Sequence, residues 1–181
     1  MASLGAFSNR LLRAALLDPS AYEEVERDRA ALAPALAAVV LSSLAAGVGA
    51  GGAQGSSASV FALFSVIALC SWIGWAALIY HVGGRLMPEA QTQSSFTGLL
   101  RTIGFAAAPG LFQVFGAFPG MTGLVFSVSA VWMLAAMIVA VRQALDYRTT
   151  RHALAVCAVA WILAVALPLA ISLAFTRPAL S

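Results

Sequence analysis

Between Arg101 and Arg142 lie forty residues without a single charge, cut only by Pro109-Gly110 and Pro119-Gly120. One helix needs about 20 apolar residues to cross a hydrocarbon layer of roughly 30 Å, so a run of this length fits two crossings. The stretch therefore reads as a membrane hairpin, with its turn near Phe118 to Gly123. An arginine at the centre of a span costs about 2.5–3.5 kcal/mol on an insertion scale, which places Arg101 and Arg142 at one membrane edge, on the same side.

The rest of the chain agrees. Of 181 residues, 61% are hydrophobic and 9% charged, a balance no ordinary soluble domain shows. The reading is an all-α, polytopic helical membrane protein with about five transmembrane segments. Lys plus Arg total ten and all ten are arginine, against seven acids, for a net charge of +3. The positive charges are spread over several loops instead of forming a stripe, so nucleic acid is not an expected partner. Cys70 and Cys157 sit inside apolar runs and read as small buried hydrophobes. The patch Leu11 to Leu17 is broken by Arg13 and followed by Asp18-Pro19, with no cleavage site after it, so the first span is expected to act as the insertion signal.

Residues 1–30 are expected to form amphipathic and charged cytoplasmic helices. Leu4, Phe7, Leu11 and Ala15 share one helical face, with Asn9, Arg10 and Arg13 opposite, a pattern for a helix lying on the membrane surface. Asp18 followed by Pro19 predicts the start of a second, charged and solvated helix. A single membrane domain over 31–177 follows, with spans at about 31–51, 58–81, 102–117, 123–142 and 153–175. Ala45 with Gly49, and Gly47 with Gly51, give the first span small residues at four-residue spacing, a surface for close helix approach. In the second span, Trp72 reads as packing and Tyr80 as an interfacial anchor. The third is barely long enough to cross, and Pro109 predicts that it is broken or re-entrant. Gln113 is the nearest polar side chain that would satisfy the freed carbonyls, or alternatively touch a substrate.

Nine arginines, from Arg10 to Arg151, fall on one side of this layout and Arg177 alone on the other. Positive charge marks the cytoplasm, so the N-terminus is expected inside and the C-terminus outside, in a bacterial inner membrane. Arg85, Arg101, Arg142, Arg148 and Arg151 gather on the cytoplasmic side, with Asp146 four residues after Arg142 on one helix. They either fix topology or form a basic rim for lipid headgroups or a partner. No ionisable group falls inside a span, and there is no Lys for a Schiff base, no HExxH, no GxSxG and no phosphate loop. His81 and His152 lie at helix ends without enough other ligands beside them for a metal. Neither an enzyme nor a cofactor is expected.

Three segments, LLDPSAYEEVERDRAALAPALAAVVLSSLAAGVGA, LLRTIGFAAAPGLFQVFGAFPG and AVRQALDYRTTRHALAV, resemble the bacterial branch of the Yip (Ypt/Rab-interacting protein) family of five-span membrane proteins. The likeness covers roughly residues 12–175, and GFAAAPG and AVRQALDY carry most of it. In eukaryotic members the family implies binding of prenylated Rab-type GTPases and a role in vesicle traffic or membrane shaping. Those members carry a long N-terminal extension, which residues 1–30 do not match, so a Rab-type GTPase is not an expected partner here. No catalytic residue comes with the resemblance. The expectation is a non-enzymatic membrane protein that packs against membrane lipids, other integral membrane proteins or itself, as an organiser or an accessory subunit of a larger complex. The alternative is a lipid or small-molecule conduit through the broken third segment.

Overall fold

The structure is a computed structural model that describes residues 4–51, 58–92 and 95–176. Helices account for nearly all of them: α1 (Leu4–Ala15), α2 (Pro19–Arg27), α3 (Leu32–Gly51), α4 (Ala58–His81), α5 (Phe96–Phe105), a 3-10 arm (Ala108–Ala117), α6 (Thr122–Ala144) and α7 (Thr150–Thr176). Four stretches are long and apolar enough to cross a membrane: 29–50, 61–86, 96–117 and 122–144. With α7 as the fifth, this is the five-segment architecture read from the sequence. The turn expected at 52–57 lies outside the described residues.

Local chemistry explains most boundaries. The Asp18 carboxylate accepts the Ser20 N–H at 3.0 Å and Pro19 opens α2, while Leu17 at φ 62° turns the chain between α1 and α2. Asp28 closes α2 and its side chain accepts the Ala30 N–H at 2.9 Å, leading through one 3-10 turn into α3. Ser95 caps α5, its hydroxyl accepting the Gly98 N–H at 3.3 Å.

The third crossing differs from its expected bounds. It starts at Phe96 instead of 102, and the α-helix ends at Phe105, just ahead of Pro109, whose ring removes an N–H and forbids another α turn. The chain continues as the 3-10 arm. Ten residues at α-helical rise span about 15 Å and ten at 3-10 rise about 20 Å, so the earlier start and longer pitch together let this arm cross.

The core is built around α5. It is surrounded by α2, α3, α4 and α6, and every residue from Gly98 to Phe105 is buried. Gly104 lets α3 come close, because a Cβ there would stand 2.7 Å from that of Ala35. α1 packs on this core through Phe7, Leu11 and Ala15. The Phe7 ring meets Phe105 edge-on at 6.2 Å, and the Trp132 indole donates to the Ala15 carbonyl at 2.7 Å. Trp132 precedes Arg142 by about 15 Å of α6, so the end of α1 stands beside the middle of that helix.

Candidate functional site

A cleft of about 830 Å³ is lined by α3, by Ile103, Ala106, Ala107 and Gln113 of the third crossing, and by α4 and α6. The 3-10 arm lies on α3 almost backbone to backbone. A Cβ on Gly49 would collide with the Gln113 carbonyl, and one on Gly116 would stand 3.0 Å from the Gly49 carbonyl. α6 closes on the same arm: a Cβ on Gly110 would stand 3.2 Å from Met133 Sδ, and one on Gly116 2.9 Å from the Phe126 ring. α4 meets α3 farther round, where Phe61 lies against Gly47. α4 and α6 thereby stand on either side of the cleft, and none of the described residues that line it is charged.

These contacts use the small residues of α3 for close helix packing, as their spacing suggested: Ala45 and Gly49 are buried inside the bundle, and Phe61 lies against Gly47. Gly51 ends α3, and its surroundings lie outside the described residues.

No hydrogen bond joins the Gln113 side chain to a carbonyl near the break among the described residues, and side chains of α3 and α4 reach other carbonyls of the third crossing. The Ser42 hydroxyl, from α3, donates to the Ala107 carbonyl at 2.7 Å, and the Trp72 indole donates to the Leu100 carbonyl at 3.1 Å. The Gln113 side chain lines the cleft and makes no hydrogen bond among the described residues. Pro109 is buried at the start of the arm, where it breaks the helix and touches no cleft space. Trp72 is thus more than packing, and the signal was available: an indole N–H in an apolar run needs an acceptor. Trp75, one turn on, has none. Its Nε1 is buried without a partner at the cleft wall.

The arginine end is divided. Arg101 is 8% exposed, and its guanidinium donates to the Glu26 carbonyl at the end of α2. A cation there suits the negative end of the helix dipole. Arg101 is therefore a structural clamp and not part of an open rim. Arg142 does not pair with Asp146, which lies beyond α6 at φ 53°; it donates instead to the Tyr147 carbonyl at 3.4 Å and Thr150 Oγ1 at 3.4 Å. Arg85, Arg148 and Arg151 are exposed, with Arg85 over the Tyr80 ring at 6.0 Å. The loop between α4 and α5 is tied to the base of α7. Glu89 accepts the Arg148 N–H at 3.0 Å, His152 Nε2 meets the Met87 carbonyl at 2.8 Å, and the Tyr147 hydroxyl donates to the Gly83 carbonyl at 2.8 Å. Burial and the nearby Glu89 push the Tyr147 phenol up to about 12.

The charges of α2 are paired instead of merely solvated. Arg10 reaches Glu24 at 2.9 Å and Asp28 at 2.7 Å; Arg13 reaches Asp18 at 2.9 Å and Glu24 at 2.8 Å. Hydrogen bonds from Arg13 and Arg10 hold the Glu24 carboxyl below the usual range. Ser20 and then Arg13 do the same for Asp18, and Arg10 for Asp28.

Residues 13–171, from the end of α1 through most of α7, match the Yip1 domain. The chain belongs to the Yip1 family. No curated protein and no solved structure matches it. In this Yip1-family protein the matched stretch holds the cleft, the broken third crossing and the arginine end together, so the cleft lies within the family's own domain.

Proposed function

We propose that this Yip1-family protein acts without catalysis, by lateral association within the membrane, as an organiser or accessory subunit that packs against lipids and other membrane proteins. The proposed setting is a bacterial inner membrane, with the arginine end and N-terminus in the cytoplasm and the C-terminus outside.

The observation that carries this reading is the middle of α7. Ala153, Val156, Cys157 and Ala160 pack that helix onto the bundle, and beyond them Trp161, Ile162 and Val165 are 61%, 65% and 54% exposed. A continuous apolar face at membrane depth meets either lipid or another helix. Single cysteines at Trp161 and Val165, in a background lacking Cys70 and Cys157, test which. Bifunctional thiol crosslinking in native membranes is expected to give discrete adducts to a second copy or to another membrane protein. Monomer alone from both positions overturns the protein-association arm.

The cleft favours a second reading, a lipid or small-molecule conduit, because the broken crossing lines part of it and Gln113 is among the lining residues. Flux in proteoliposomes that falls with Gln113→Ala and Pro109→Ala supports it, and no flux at all excludes it.

A further inference from the structure

We propose that the cleft is a binding site for one ester-linked acyl chain of a bilayer phospholipid, with the ester carbonyl accepting a hydrogen bond from Trp75 Nε1. The inference rests on the reading that lipids are among what this protein packs against, and it adds the site, the ligand class and the residue that selects it.

Size and chemistry agree on an acyl chain. The lining of α3 runs from Val39 to Ala50, about 16 Å along the helix, which is close to the depth of one leaflet, about 15 Å. A volume of about 830 Å³ falls in the range of small-molecule sites, roughly 300–1,000 Å³. Met133 and Met137 supply an adaptable apolar wall, as a flexible chain requires. With no charge among the described lining residues, an ionised headgroup or a free carboxylate would find no counter-ion there, whereas an uncharged ester enters without that penalty.

The polar groups point to the oxygen. Ser42 is already engaged with the Ala107 carbonyl, and Ser43 with the Val40 carbonyl and the Ser65 hydroxyl. Gln113 and Ser71 also line the cleft without a hydrogen-bond partner among the described residues, but they are not buried; among the described lining residues, Trp75 Nε1 is the buried side-chain donor with nothing to donate to. An indole N–H only donates, so what completes it is an acceptor, and buried polar groups left unpaired are rare because they are costly. An ester carbonyl is the acceptor that an acyl lipid carries at the head of its chain.

The test separates chain from carbonyl. The full-length protein is reconstituted into vesicles of either diacyl phosphatidylcholine or its diether analogue, which keeps the chains and lacks the carbonyls. It is then re-extracted in mild detergent and washed, and retained phospholipid is counted by mass spectrometry. The unaltered protein is expected to retain one diacyl lipid per chain and to prefer it over the diether lipid by about 2- to 10-fold, the worth of one hydrogen bond. Trp75→Phe is expected to erase that preference while leaving the fold intact. Ala46→Phe and Ser71→Phe, which fill the cleft from α3 and from α4, are expected to abolish retention of both lipids. Leu134→Phe, on the exposed side of α6, should leave it unchanged. Equal retention of the two lipids by the unaltered protein overturns the role of Trp75. Retention that survives both cleft-filling variants, or recovery of a lipid without an ester in place of phospholipid, overturns the site. Crosslinking through Trp161→Cys is read separately, so protein association can stand where lipid retention fails.

Discussion

Gly47 and Gly49 stand two residues apart on α3 and look alike in the sequence, yet they face different neighbours. A methyl group at Gly47 would meet the edge of the Phe61 ring at 2.8 Å, and that ring can turn away. At Gly49 it would meet the Gln113 backbone carbonyl, which belongs to the 3-10 arm and cannot. Gly49→Ala is therefore expected to cost about 1–3 kcal/mol, the usual range for overpacking, and Gly47→Ala clearly less. Denaturant titration of the two purified variants in the same detergent checks the order; equal losses would mean the arm is not seated on Gly49. Arg101 makes the same point about side chains. Hydropathy places an arginine at an edge, which is why the third crossing was expected to begin at 102. In the fold its charge is taken up by the end of α2, and the helix begins six residues earlier at a serine cap. The cap signal, Ser95 with an apolar run after it, was present in the sequence but outweighed by the charge.

At the scale of elements, α1 and α2 form an ion-paired hairpin laid against α5 and α6. The start of α2 was legible in Asp18-Pro19, because capping is local chemistry. The pairing of Arg10 and Arg13 with Asp18, Glu24 and Asp28 depends on how two helices fold back on each other. Its consequence is a dependence on pH. Asp18, Glu24 and Asp28 have lowered pKa values in the folded protein, so at mildly acidic pH the folded hairpin binds fewer protons than the unfolded one. Their contribution is complete above the ordinary carboxylate range and is lost as pH falls through the lowered folded values. Glu26, raised by burial and then by Asp146, acts with the opposite sign, but it is one group against three. Distances between spin labels at Leu12 and Arg27 are expected to hold steady from about pH 8 to 6 and to spread as pH falls below about 4. A distribution unchanged down to about pH 2 would show that apolar packing alone holds α1.

Across the whole molecule, the arrangement of spans leads to a labelling pattern. In a background lacking Cys70 and Cys157, Gly55→Cys and Thr122→Cys are expected to react with a membrane-impermeant thiol reagent added from outside. Ser94→Cys and Thr149→Cys are expected to react only after the inner face is opened. The reverse pattern would invert the proposed orientation. The structure supports the geometric part of this layout: the ends of α3 and α6 nearest Arg101 share one side with the loop after α4, and the turn between the 3-10 arm and α6 lies on the other.

The all-helical class, the five crossings, the break near Pro109 and membership of the Yip1 family were all readable from residue order. Each follows from backbone chemistry, because a span in hydrocarbon must satisfy its own hydrogen bonds and so declares itself by length, apolarity and charge at its ends. What tertiary structure alone decided is where each polar atom finds its partner. Ser42 and Trp72 serve carbonyls of the third crossing, Gln113 does not, Arg101 turns inward, and Trp75 is left without an acceptor at the wall of a cleft. Apolar helices of similar composition carry no code for which faces meet, since alanine, leucine and valine suit lipid and protein neighbours alike. The cleft lies where glycines at 49, 104, 110 and 116 let the third crossing sink onto α3 and α6 and where α4 closes the far wall, a result of packing that no single segment specifies.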